Sequence, residues 1–219
     1  APRWLASCLH SARPMPVPPA FVNRASAGIV NDSIIRKASY QEIIRRYLRC
    51  SVEYALGLQD NEILDRIKQI MKKIGAKVED RKVVLPARRA AIEAQKSGKG
   101  NDGMYCGAAM ELDDGTIITG KNSPLMHASS SLVLNAAKHL AGLPDKMYLL
   151  PENIIDSVTH LKKDILHGKM VSLDVDETLI VLGISALSNP AAKMALENLK
   201  YLRNCEVHLT HIPTPGDEA

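Results

Sequence analysis

Aromatic residues are scarce in this sequence, at 4% of 219 positions with one Trp and one Phe. The core must therefore be built from Leu, Ile, Val, Met and Ala. Charge of one sign is lacking as well: 28 basic residues stand against 24 acidic ones, a formal net charge of +4. No stripe of Lys and Arg is interleaved with aromatics, so nothing points to a nucleic-acid partner. The four cysteines, Cys8, Cys50, Cys106 and Cys205, are widely spaced without a Cys-x-x-Cys pair. They read as reduced, mostly buried thiols, and no Cys/His spacing suits a metal, so no zinc is expected. Long apolar runs are missing too, none approaching the roughly 18 residues of a membrane span. The N-terminus lacks the charged-then-apolar layout of a secretory signal, which places the chain in the cytoplasm with no membrane partner.

What is present is an ordinary globular hydrophobic content of 46% and a clear order of elements. Residues 1–26 are Pro-, Ala- and Arg-rich without periodicity and read as a disordered leader. Residues 27–97 form a small helical region. Ser39 and Glu42 have capping-box spacing for a helix ending at Gly57, and Asp60 caps a second helix that stops at Gly75. The two make an antiparallel pair, with Arg45, Arg46 and Arg49 on a solvated outer face. A third helix over 81–96 holds Pro86 near its start. The stretch 97–103 is a flexible joint, and its Gly98-Lys99-Gly100 lacks the remaining residues of a phosphate-binding loop.

The stretch from Gly107 to Pro144 organises the rest. Strands over 107–112 and 116–119 flank Asp113-Asp114-Gly115, which is hairpin chemistry. A polar loop then leads to a helix capped by Ser129, with Leu132, Val133, Ala136, Ala137 and Leu140 inward and Gly142 and Pro144 as its stop. Met147–Leu150 reads as a strand and Pro151 as the first turn of a helix. Residues 170–187 are ambiguous between strand and helix. Asn189-Pro190 opens a helix, and Cys205–Ile212 alternates as a strand. Strands and helices thus alternate over 98–219, which predicts an α/β layered domain, a three-layer αβα sandwich. The end of the sequence just after a strand suggests a fragment.

Two constellations could carry chemistry. Asp174-Val175-Asp176-Glu177-Thr178 resembles the first motif of haloacid-dehalogenase-type phosphotransferases. That resemblance implies Asp174 as nucleophile, Asp176 as general acid/base, Mg²⁺ as cofactor, and Thr210 as a second-motif hydroxyl. The alternative is a helix N-terminus with Ser172 or Asp174 as cap. The central frame resembles that of zinc nucleoside deaminases, with His127-Ala128-Ser129 in the place of the first motif and Pro151–Ile155 in that of the second. Ser129 then stands where the catalytic Glu would be, and Glu152 and Ile155 where the thiolates would be, so the frame implies deaminase-like topology without zinc. Lys121, Asn122, Ser123 and Ser129 could form a small-anion site at the helix N-terminus.

The resemblance covering most of the chain is carried by Ser39-x-Gln41-Glu42-Ile43-Ile44-Arg45-Arg46-Tyr47, Asp80-Arg81-Lys82-Val83, Gly115-x-Ile117-x-Thr119-Gly120-Lys121-Asn122-Ser123 and Asn189-Pro190-x-Ala192. From about Ala27 onward the sequence resembles the C-terminal half of a bacterial family of unknown function, number 1846 among such domains. The resemblance implies an N-terminal half that this chain lacks and a non-catalytic or co-catalytic role in a larger, nucleotide-binding protein. It supplies no reaction. The partner it implies is that missing half or a second copy, packed on the wide apolar stripes of the helices at 39–56 and 60–74.

Overall fold

A computed structural model describes residues 32–218; the leader expected over 1–26 lies outside the described residues. The first helix, α1, spans Asp32–Ala55. It runs straight through Ser39, so the expected capping box does not start it. Residues 32–38 contain neither Gly nor Pro, and Asp32 pairs with Arg36 one turn on, at 2.6 Å, which supports the extra turns. Helix α2, Asn61–Ile74, begins after Asp60 and ends at Gly75, whose φ of 71° gives the left-handed cap. Tyr47 and Cys50 of α1 pack on Ile63, Leu64 and Ile67 of α2. Helix α3, Val84–Lys96, carries Pro86 in its first turn as expected.

Strands β1 (Gly107–Glu111) and β2 (Ile117–Lys121) form the expected hairpin, and β3 (Glu206–Leu209) pairs on the other edge of β1. The sheet has the order β2-β1-β3 with both pairings antiparallel. Its two faces are covered by different helices. Ala109 and Ile117 pack with Val83 and Ala87 at the α3 side. Ala108, Met110 and Ile118 pack instead on Ala128, Leu132 and Ala136 of helix α4, Ala128–Leu140. The alternation is the period of two in a pleated strand.

Helix α4 is central because it is buried on two sides. Its other face supplies Leu134 and Ala137 to a second core, completed by helices α5 (Glu152–His160), α6 (Val175–Ser185) and α7 (Pro190–Asn198). Close approach to the sheet depends on Gly120, where an added Cβ would collide with the backbone of Ala128 and Leu132. Among the described residues no helix is long and apolar enough to cross a membrane.

Two local expectations are corrected, and one stretch left open takes a definite form. Met147–Leu150 is not a strand; Leu149 and Leu150 are buried as irregular chain in the second core. Ser129 does not cap α4. His127 takes that position, its carbonyl accepting the Ser131 amide, and Ser129 lies inside the first turn. The ambiguous 170–187 stretch is helical from Val175, with Asp174 as its N-cap in a capping box with Glu177.

Candidate functional site

The segment that follows β3 folds back over the start of α4. There Thr214-Pro215-Gly216-Asp217 makes one tight turn, closed by Thr214 and Asp217 bonding each other's backbone N–H. The turn delivers the Asp217 carboxylate to the N-terminal end of α4, where the helix dipole favours negative charge. The carboxylate is fully enclosed, at 0% side-chain exposure. It accepts from Ser129 Oγ at 2.5 Å, Thr214 Oγ1 at 2.7 Å and His127 Nδ1 at 2.9 Å. Burial alone would raise the pKa of this group. The hydrogen bonds from His127, Ser129 and Thr214 outweigh burial and hold the carboxyl well below the usual carboxylate range.

This arrangement fixes the imidazole of His127. A carboxylate accepts only, so Nδ1 carries a hydrogen, and in the neutral imidazole Nε2 then presents a lone pair. His127 Nε2 is buried and has no hydrogen-bond partner. The residue lines a cavity of about 190 Å³ together with Asn101, Cys106, Asn122, Ser172 and His211. His211 Nδ1 is likewise buried without a partner. Burial pushes the His211 imidazole below its ordinary pKa, and the neighbouring His127 adds to this against the opposing pull of Asp217. Burial pushes the Cys106 thiol up, so it stays protonated near neutrality. Beyond Ser129 and Asp217 lies a second, mainly apolar cavity of about 350 Å³ between the sheet, α4 and α6. Among the described residues no group of three or more His, Cys, Asp or Glu is placed to hold a metal ion.

The four residues expected to form an anion site are spread over different tasks. Lys121 turns to the outer edge and pairs with Glu93 of α3 at 2.8 Å. Asn122 is buried and ties the hairpin base, accepting from the Cys106 amide and donating to the Met104 carbonyl. Ser123 Oγ accepts the amides of Leu125 and Met126 within its own loop. Ser129 donates to Asp217, so the negative charge at this helix end is one of the chain's own. Asn122, Ser123 and His127 do share the 190 Å³ cavity.

Of the haloacid-dehalogenase-like residues, Asp174 and Thr210 have local structural partners. Asp174 Oδ1 accepts the Glu177 amide, and Asp176 is exposed in the first turn of α6. The Thr210 hydroxyl accepts the Gly107 amide at the sheet edge. In the deaminase-like frame, Glu152 is exposed and Ile155 is buried in the second core. Sequence reasoning missed Asp217, Thr214 and His211. The spacing Thr214-x-x-Asp217 with Pro215 between is the available signal, since it has the form of a capping turn.

Comparison with known proteins gives two family matches. Residues 79–219 match "Domain of unknown function DUF1846, C-terminal", and residues 10–75 match "Domain of unknown function DUF1846, N-terminal". The N-terminal match starts inside the segment expected to be a leader and takes in both helices of the α1–α2 pair. The chain therefore carries sequence matched by both family descriptions. Among curated relatives, a UPF0371 protein of Clostridioides difficile is 45% identical over 197 residues, which is 90% of this chain and 39% of that protein. UPF0371 proteins of Clostridium tetani and of Clostridium botulinum (strain Alaska E43) are 41% and 42% identical, with the same coverage. The chain thus spans about two fifths of the length of the relatives it matches.

Proposed function

We propose, on the premise that this chain belongs to the DUF1846 family, that it forms a co-catalytic or ligand-binding part of a larger protein, with His127 as its working group. The observation that carries this reading is the buried Nε2 of His127, without a hydrogen-bond partner while Nδ1 is taken by Asp217, on a residue that lines a small cavity. Such an imidazole accepts a proton or hydrogen bond from a small ligand offering O–H or N–H. Asn101 and Ser172, which bond each other across the same cavity at 3.4 Å, would orient that ligand. The cavity of about 190 Å³ is small against the ~300–1,000 Å³ of typical ligand pockets, so a ligand of few atoms or one end of a larger molecule fits.

The scaffold under this site is read as a three-layer sandwich, supported by α3 and α4 on opposite faces of one sheet. The deaminase-like outline rests on the hairpin feeding α4 with His127 at its opening. The partner is read as the remainder of a longer chain or a second copy. Exposed apolar side chains on α1 and α2, including Tyr54, Ile70 and Ile74, support that reading.

The test is probe mapping by NMR, with ethanol, isopropanol and acetamide titrated while the imidazole signals of His127 and His211 are followed. Saturable shifts of both rings are expected in the wild-type chain, with that of His211 lost in His127→Gln. Probes that leave His127 unmoved while shifting residues elsewhere would refute the assignment.

A further inference from the structure

The second family region meets the first along a groove that shares only His211 and Ile212 with the cavity above. One face of α1, carrying Arg45, Leu48, Arg49, Val52 and Ala55, lies opposite Val207–Pro213, and between them is a groove of about 570 Å³. The spacing on α1 is that of one helical face, i, i+3, i+4, i+7 and i+10. α1 lies in the region matched by the N-terminal family description and β3 in the region matched by the C-terminal one. Ligand sites occur preferentially at such seams.

Besides the hydroxyls of Ser51 and Thr210, the groove's polar side chains are basic. Arg45, Arg49 and Arg81 line it together with His208 and His211. Arg81 is nearly enclosed, at 7% side-chain exposure. Its bonds to Glu206 and to the Val207 carbonyl use only Nη2, leaving Nε and Nη1 of a five-donor group. Arg45 reaches the same Glu206 and also Glu42. Arg49 pairs with no carboxylate among the described residues. Of the arginines expected on a solvated face, Arg46 and Arg49 are exposed, while Arg45 is half-buried and drawn in by Glu206; Arg49 also lines the groove. Apolar lining is contributed by Leu48 and Val52 from α1 and by Ile212 and Pro213 across the groove.

We propose that this groove binds a small organic anion, a phosphate or carboxylate carried on an apolar body, with Arg49 and the free edges of Arg45 and Arg81 as its donors. Guanidinium forks match such oxyanions bidentately, and the apolar walls take the rest of the molecule. His208 reports occupancy. It is pushed down to about 4 by burial and then by the positive charge of Arg81 and Arg88. An anion beside Arg81 would offset that charge and raise it.

The experiment titrates the full chain with phenyl phosphate, with benzoate, and with potassium chloride at matched ionic strength, following the His208 imidazole by NMR. Phenyl phosphate or benzoate should give a saturable shift that chloride does not, and comparison of the two assigns the head group. Arg49→Ala should weaken that binding about tenfold, the scale of one charge-assisted hydrogen bond. Arg45→Lys, which keeps the charge and loses the fork, should weaken it while leaving the fold intact. Equal responses to chloride and the organic anions, or unchanged affinity in Arg49→Ala, would overturn the proposal. So would loss of binding in His127→Gln, which would move the anion to the neighbouring cavity.

Discussion

Asp217→Asn is the perturbation that bears most directly on the His127 site. The substitution keeps the shape of the side chain and replaces one acceptor oxygen with an N–H₂ donor. In the wild-type chain Oδ2 accepts from the Thr214 hydroxyl, the Thr214 amide at 3.2 Å and His127 Nδ1, while Oδ1 accepts from Ser129. An amide oriented for Ser129 sets its own N–H against the Thr214 amide and His127. The imidazole can relieve this by moving its hydrogen to Nε2, which turns that nitrogen from acceptor to donor. Hydrogen bonds to a charged group contribute about 1.5–3 kcal/mol each. Two are lost outright, and part of that loss is offset because a buried carboxylate is no longer desolvated. The net cost is about 2–4 kcal/mol, or roughly 5–15 °C in Tm for a chain of this size. Urea unfolding at pH 7 measures the first quantity, and the ¹⁵N shifts of the His127 ring measure the tautomer. The carboxyl is held below its ordinary value of 3.8. Its stabilisation is therefore present above that pH and lost as pH falls further toward the folded value, so the variant should show a shallower acid loss there. A stability change under about 0.5 kcal/mol with an unchanged tautomer would refute the reasoning.

Other expectations follow from single contacts. Gly120→Ala forces a methyl into the backbone of α4 at Ala128 and Leu132 and should cost about 3 kcal/mol, read by chemical denaturation. Asp174→Ala removes the cap of α6 and its bond to the Glu177 amide, a loss of about 1 kcal/mol. Mg²⁺-dependent phosphate-ester hydrolysis that disappears in the same variant would instead establish the phosphotransferase reading. His208 is pushed to about 4 and His211 also lies below its ordinary 6.5. The folded state therefore disfavours their charged forms: stability is present above about pH 6.5 and declines as pH falls toward 4. His208→Gln should flatten that decline in urea midpoints measured across the range.

The elements legible in the sequence were those whose signals are local. Asp113-Asp114-Gly115 places the hairpin, Gly75 the end of α2, and Asn189-Pro190 the start of α7, whose side-chain cap accepts the Ala191 and Ala192 amides. The misreadings share a physical origin. Ser39 and Ser129 have cap chemistry, yet good helix-forming residues upstream of Ser39 and the grip of Leu173 on the His127 amide start both helices earlier. The run Met147–Leu150 is apolar because Leu149 and Leu150 fill the second core, and burial alone does not make a strand. The site was the least legible part. Asp217 stands 88 residues from Ser129, and the only local mark of its turn is a Thr-x-x-Asp spacing in what reads as a Pro/Gly tail.

That distance also decides what the site can bind. The start of α4 favours negative charge, and sequence alone cannot say whether a ligand or the chain supplies it. Here the chain does. With Asp217 at that position, an incoming anion would meet a buried carboxylate, while a proton donor would meet the lone pair of His127 Nε2. The two recognition tasks are consequently divided between neighbouring cavities, with hydrogen-bond acceptance at His127 and anion recognition at Arg45, Arg49 and Arg81. The segment 207–213 runs between them, and His211 and Ile212 line both. A single molecule with an anionic end in the groove and a hydroxyl or amide end against His127 would satisfy both, with His211 as the side chain it passes.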